Sequence, residues 1–319
     1  MVTETMMPVN GIEVCVETFG EPTDPPLLLL AGDASSMDWW DDEFCRRLAA
    51  GGRFVVRYDH RDTGRSTCFP IGAPAYSGAD LMDDALGVLD VLGLPAAHLV
   101  GFSLGGGIAQ RIAVEHPARV LSLTLMATSA GYGDADPPPP HASPQPATPP
   151  VHASSPQPAT PPVHASSPRT AAAVSLVTRT PPAADIDWTD RRTAVTGLIA
   201  EIRDRGGPFT AAEPQLRRLA ERIFDRSADL AAGRHNHQRA GYGPPIRDRL
   251  GAIVAPTVVL HGTLDRRFPP EHPRELATAI PHARLVWLDG VGHEQPPRAV
   301  WETVLAEILS FHSTGRPPE

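Results

Sequence analysis

Three segments of this 319-residue chain carry side chains that together could cut an acyl bond. Gly101-Phe102-Ser103-Leu104-Gly105 reads G-x-S-x-G, directly after an apolar run and directly before a helix-forming one. Glycines on both sides permit a sharp strand-to-helix turn that thrusts a serine oxygen outward. The helix that follows aims its first amides and the positive end of its dipole at that oxygen. A serine hydroxyl is a weak nucleophile and needs a basic histidine, which a carboxylate must orient. Behind this kind of turn the acid precedes the histidine in the chain. His261-Gly262-Thr263-Leu264-Asp265 follows one apolar strand and offers a carboxylate; Asp289-Gly290-Val291-Gly292-His293 follows the next and offers an imidazole. The pattern therefore assigns Ser103 as nucleophile, His293 as general base and acid, and Asp265 as the orienting carboxylate. Asp289 is the rival acid, but four residues ahead of the histidine it is expected to cap its own loop. A histidine in this role must be neutral to accept the serine proton, which sets an acid limb in activity near pH ~6–7. The oxyanion formed on attack needs two donors, assigned to the amides of Leu104 and of Asp33 in the loop Ala31-Gly32-Asp33. An aspartate carboxylate there repels a developing anion unless it points away or is paired.

These loops need a scaffold that brings strand ends together. Glu13–Phe19, Pro26–Leu30, Arg53–Tyr58, His98–Phe102 and Leu121–Met126 read as strands. Between and after them, Trp40–Ala50, Gly78–Leu92 and Leu104–Glu115 read as helices. The theme resumes with strand Thr257–Leu260, helix Pro270–Ile280, strand Arg284–Leu288 and helix Pro297–Phe311. Short apolar strands alternating with amphipathic helices predict an α/β fold with a mostly parallel sheet covered on both faces. Ser103, Asp265 and His293 then fall at the carboxyl ends of strands, where ligands gather in such sheets.

Two stretches interrupt the pattern. From Pro137 to Pro168 a unit resembling HASSPQPATPPV recurs, with His141, His152 and His164 at regular spacing. Almost devoid of large apolar side chains, it predicts a disordered, polyproline-like insertion, and tandem duplication explains its histidines more simply than metal capture. The following segment is arginine-rich and helical, with Val195, Leu198, Ile199 and Ile202, then Leu216, Leu219, Ile223 and Phe224, at helical spacing. Those stripes must cover something: a subdomain packed on itself, or a lid over the site, which position in the chain favours. The expected division is core 1–136, proline-rich insertion 137–170, helical lid 171–250 and core again 251–319. His235, Asn236 and His237 in the lid, with Trp39 and Trp40 after the oxyanion loop, are candidate pocket residues.

Composition removes whole classes of function. All 28 basic residues are arginines, against 37 acids, for a net charge of −9. Without lysine there is no Schiff-base chemistry and no Walker A motif. The acidic balance speaks against nucleic acid as a partner. Cys15, Cys45 and Cys68 are too few and too scattered for a disulfide framework or a thiolate zinc site. Met1–Asn10 lacks the pattern of a signal peptide, and the strongest apolar run, Leu27–Leu30, is too short to span a membrane, so the expected compartment is the cytoplasm.

With these residues in place, the chain resembles the α/β-hydrolase superfamily. Arg57-Tyr58-Asp59-His60-Arg61-Asp62-Thr63-Gly64-Arg65-Ser66-Thr67 further resembles a segment of aclacinomycin methylesterase-like enzymes. The likeness runs from about Gly11 to Phe311, omitting the proline-rich stretch and weakening through the lid. It implies an eight-stranded sheet, a helical lid after the sixth strand, no cofactor, and hydrolysis of a small-molecule ester, with polyketide methyl esters as a lead. Many members of the superfamily carry His-Gly where this chain has Ala31-Gly32. Asp59, Arg61 and Asp62 lie outside the triad and are expected to brace their loop. Haloalkane dehalogenases and epoxide hydrolases place aspartate at the elbow, so Ser103 excludes them. Cofactor-free haloperoxidase-like enzymes and carbon–carbon bond hydrolases share the triad and stand as alternatives. A non-catalytic, ligand-binding member is expected to have lost part of it, and none is lost here.

Overall fold

The computed structural model describes residues 4–131, 186–241 and 243–311. The repeats from Pro137 to Pro168, with His141, His152 and His164, lie outside the described residues. The chain opens on a hairpin of β1 (Thr5–Val9) and β2 (Ile12–Phe19), turned by Asn10 and Gly11, both at positive φ as such a two-residue turn requires. There follow β3 (Pro26–Leu30), α1 (Asp42–Ala50), β4 (Phe54–Tyr58), α2 (Gly78–Val91), β5 (Ala97–Phe102), α3 (Leu104–Glu115) and β6 (Val120–Met126). Next come three helices, α4 (Arg191–Arg205), α5 (Glu213–Arg226) and α6 (Leu230–Asn236). The chain then completes the sheet with β7 (Thr257–Gly262), α7 (Glu271–Ala279), β8 (Arg284–Leu288) and α8 (Trp301–Leu309).

The eight strands lie in the order β1-β2-β4-β3-β5-β6-β7-β8, with β2 antiparallel to both neighbours and every pair from β4 to β8 parallel. A parallel sheet is covered on both faces, which is why β3 is leucine at four successive positions. Leu28 and Leu30 join Leu81, Leu89, Ile108, Ile112 and Leu276 from α2, α3 and α7 in one core layer. Leu27 and Leu29, pointing the other way, join Phe44 and Leu48 of α1 and Trp301 and Leu305 of α8. The chain lays β4 on one side of β3 and then β5 on the other, so a crevice opens outside the carboxyl ends of β3 and β5.

Where the sequence suggests a helix from Trp40, α1 begins at Asp42. The Asp41 carboxylate accepts the Glu43 N–H at 2.7 Å and caps it, while Trp40 stacks into the core against Phe44. Helices α4 and α5 pack together through Val195, Leu198, Ile202, Leu216, Ala220 and Ile223, with Trp39 and Trp188 against them. Arg226 ties α5 to the sheet. Its buried guanidinium reaches Asp59 at 2.6 Å, Asp38 at 2.8 Å and Glu4 at 2.6 Å.

Helix α3 crosses β3 so closely that a methyl group at Gly105 would run into the carbonyls of Leu30 and Ala31. Gly105→Ala is expected to cost about 2–3 kcal/mol and to lower the melting temperature by roughly 3–6 °C. Gly251→Ala, with nothing within 4 Å of the added carbon, is the matched control and should melt like the parent. Equal melting temperatures for the two variants would contradict the close approach.

Candidate active site

Ser103 occupies the junction of β5 and α3 at φ 52° and ψ −112°, in a region that non-glycine residues rarely enter. Such strain persists only where neighbours over-determine it. Here the Ser103 N–H donates to the Met126 carbonyl at 2.9 Å. The Ser103 carbonyl in turn accepts from Thr128 Oγ1 at 2.9 Å and the Gly106 amide at 3.0 Å. The flanking glycines leave room for the turn: a methyl at Gly101 would strike the Gly105 backbone.

The turn aims Ser103 Oγ at His293, whose Nε2 lies 3.2 Å away. On the far side of the ring, Nδ1 is 2.8 Å from Asp265 Oδ2. All three residues are buried, at 3%, 6% and 5% exposure respectively. Asp265 is fixed by its own turn, its Oδ1 accepting the amides of Arg267 at 2.8 Å and Phe268 at 2.9 Å. That leaves Oδ2 for the imidazole, so Nδ1 carries the proton and Nε2 is free to take one. The ring is held between Phe102 and Phe268. Its backbone is held from α4, where the Arg205 carbonyl accepts the His293 N–H at 2.7 Å. Glu294 accepts the Gly207 amide at 2.9 Å and the Thr210 hydroxyl at 2.8 Å, binding the same two loops together. Asp289 is exposed and accepts from Thr263 Oγ1 at 3.1 Å; it makes no bond to His293.

Asp33 follows β3, next in the sheet to β5, so its loop borders the same crevice. The Leu104 amide opens α3, where the first N–H groups have no intrahelical acceptor. The loop is shaped from beneath. Ala34, at φ 50°, donates its N–H to His237 Nδ1 at 3.0 Å, and His237 Nε2 donates to the Arg61 carbonyl at 2.7 Å. His60 Nε2 donates to the Ala31 carbonyl at 3.2 Å, and Asp59 Oδ1 accepts the Met37 amide at 2.8 Å. Arg61 pairs with Asp84 at 2.5 Å, and Asp62 accepts from Tyr76 Oη at 2.6 Å and Asn236 Nδ2 at 3.0 Å. Asn236 and His237 are thus buried braces, His235 is exposed, Trp40 belongs to the core, and Trp39 packs on the α4–α5 pair. The long-range partners that fix these loops, Arg205, Arg226 and His237, stand far from them in the chain and carry no motif.

Burial holds the His293 imidazole below its ordinary pKa; the Asp265 bond opposes this, and the positive charges of Arg267 and Arg205 reinforce it. Burial pushes the Asp265 carboxyl up, but its bond to His293 and the charges around it outweigh burial and leave it lowered. Burial also raises the thiols of Cys15 and Cys45 to about 12, so neither competes as a nucleophile. Among the described residues no cluster of histidine, cysteine and acidic side chains is arranged to hold a metal ion.

Residues 25–296 match the alpha/beta hydrolase fold family. Over 307 residues the chain is 34% identical to rhodomycin D methylesterase DauP of Streptomyces sp. (strain C5), covering 96% of both proteins. Over 313 residues it is 35% identical to rhodomycin D methylesterase DnrP of Streptomyces peucetius, again 96% of each. Among solved structures, the esterase EaEST from Exiguobacterium antarcticum shares the fold with a TM-score of 0.69 at 21% identity, covering 96% of this chain and 99% of that one. The chain belongs to the α/β hydrolase fold family.

The lowered pKa of His293 sets the sign of the pH dependence. Only a neutral imidazole can take a proton from Ser103, so with His293 as the proposed base kcat/KM should stay flat from pH 8 down through the ordinary histidine value and fall only at lower pH. This moves the acid limb below the range that an unperturbed histidine implies. A limb centred above pH ~7 would contradict the buried, arginine-flanked environment.

Proposed function

We propose that the chain is a carboxylic ester hydrolase working through an acyl-enzyme on Ser103. The observation that carries this reading is the unbroken line from Ser103 Oγ through His293 to Asp265, at 3.2 and 2.8 Å. Ser103 Oγ attacks the ester carbonyl while His293 Nε2 takes its proton, and the buried Asp265 carboxylate stabilises the imidazolium. The amides of Leu104 and Asp33 receive the charge on the carbonyl oxygen. Collapse returns the proton to the departing alcohol, water repeats the attack on the acyl-enzyme with His293 as base, and the acid is released. Helices α4–α6 serve as the lid, inserted at about 171–250 between the core parts 1–136 and 251–319. The full-length relatives are rhodomycin D methylesterases, so methyl esters of aromatic small molecules are the substrates to try first. The thiols of Cys15, Cys45 and Cys68, none paired with another, suit a reducing cytoplasm, and among the described residues no helix is long and apolar enough to cross a membrane.

Ser103→Ala should lower kcat on a p-nitrophenyl ester by about 10⁴-fold or more without changing the melting curve. Asp265→Asn should lose several orders of magnitude, because the wrong tautomer of His293 then faces the serine, while Asp289→Asn should retain nearly full activity. Reversal of the two aspartate results would move the acid to Asp289, and a tenth of parental activity in the alanine variant would remove the nucleophile.

A further inference from the structure

Beside the line of Ser103, His293 and Asp265 stands a second buried imidazole that has no part in it. His261 is the penultimate residue of β7, is 1% exposed, and sets its ring perpendicular to that of Trp287, its register partner on β8. Its Nε2 lies 2.9 Å from the Phe268 carbonyl, a bond that places the proton on Nε2, since a carbonyl can only accept. The same nitrogen lies 3.5 Å from Asp265 Oδ2, the oxygen that faces His293 Nδ1 at 2.8 Å. Asp265 Oδ2 is therefore flanked by two imidazoles, one bonded to it and one presenting the positive end of an N–H dipole. With the proton on Nε2, His261 Nδ1 is bare; it is shut off from solvent and has no partner among the described residues.

An orphaned buried nitrogen carries a cost that a packed apolar side chain of similar size would not. What the imidazole supplies is one donor at one point. Through it the turn from Asp265 to Phe268 is tied from both sides: Asp265 Oδ1 accepts the Phe268 N–H at 2.9 Å, and His261 holds the Phe268 carbonyl. The Phe268 ring in turn packs against His293, with ring centroids 5.4 Å apart. Burial holds His261 below its ordinary pKa, against the pull of Asp265 and the Phe268 carbonyl, so the ring keeps this single-proton form. We propose that His261 is a positioning residue for hydrolysis, its Nε2–H fixing the Asp265 carboxylate and offsetting part of the negative charge that Oδ2 turns toward His293. This rests on the mechanism proposed above for Ser103, His293 and Asp265. Without the donor, the carboxylate is held less firmly, and more of its charge falls on the His293 imidazolium.

The test compares three substitutions. His261→Gln can carry an amide N–H to the place of Nε2, His261→Asn is one carbon too short to do so, and His261→Leu fills the space and donates nothing. Asp265, the charges of Arg267 and Arg205 that act on His293, and that of His272 that acts on His261 are the same in all of them. Rates on p-nitrophenyl acetate are taken per site titrated with a fluorophosphonate, so unfolded material does not enter. In the asparagine and leucine variants kcat should fall about tenfold with KM unchanged, since a residue this buried meets no substrate. Their acid limb in kcat/KM should move up by about half a pH unit. The glutamine variant should stay within about threefold of the parent and keep the parental limb. If either donor-free variant fails to fold, the other carries the comparison. Parental kcat and acid limb in a donor-free variant would overturn the role, and so would a glutamine variant as impaired as the leucine one, because packing alone would then account for the site. A parent that neither hydrolyses the ester nor takes up phosphonate would instead overturn the hydrolase reading, and the role of His261 with it.

Discussion

The forced turn at Ser103 is the constraint around which the other elements are arranged. A left-handed serine between a buried strand and a buried helix is tolerable only if α3 lies almost in contact with β3, and glycine is the residue that permits it at 101 and 105. The end of the neighbouring strand β6 and the residues just after it then lock the turn through the Met126 carbonyl and the Thr128 hydroxyl. Once the serine oxygen is fixed at the switch in strand order, only the loops after β3, β7 and β8 need to reach it. These loops carry Asp33, Asp265 and His293.

Charge does a different job from packing in this molecule. The pairs of Arg226 with Asp59 and Asp38 are buried and that with Glu4 partly so, and buried ion pairs contribute little net stability after desolvation. They do fix position: the wrong neighbour for Arg226 would leave several charges unsatisfied, so α5 has one seat on the sheet. From Asp59 the same network runs to the Met37 amide, and from His237 to Ala34, so the helical segment and the loop after β3 are set against each other. His60, held near pKa 3 by burial, stays neutral beneath that loop and keeps charge away from it.

Much of this was legible in the sequence for simple reasons. Continuous apolar runs such as Leu27–Leu30 announce strands buried on both faces, and G-x-S-x-G between a strand and a helix announces the turn. Glycine-rich loops after the last two strands pointed to Asp265 and His293, which the structure brings into line. Short elements were harder. Strand β1 contains Pro8 and α6 is seven residues with an internal Gly233, so neither carries a periodic signal. Pocket candidates chosen by residue type alone fared worst: Trp40 and Asn236 are consumed by the core and by buried hydrogen bonds. Such bonds join residues far apart in the chain, and no local pattern encodes them.

In the function proposed for this chain, one serine oxygen, and no other nucleophile, carries the acyl group. The most direct measurement is peptide mapping by mass spectrometry after reaction with a fluorophosphonate, with and without prior incubation with a competing ester. One phosphonate per chain is expected, located on the peptide containing Ser103 and formed more slowly when ester is present. An adduct on any other residue, or a chain that stays unmodified while still hydrolysing ester, would contradict it.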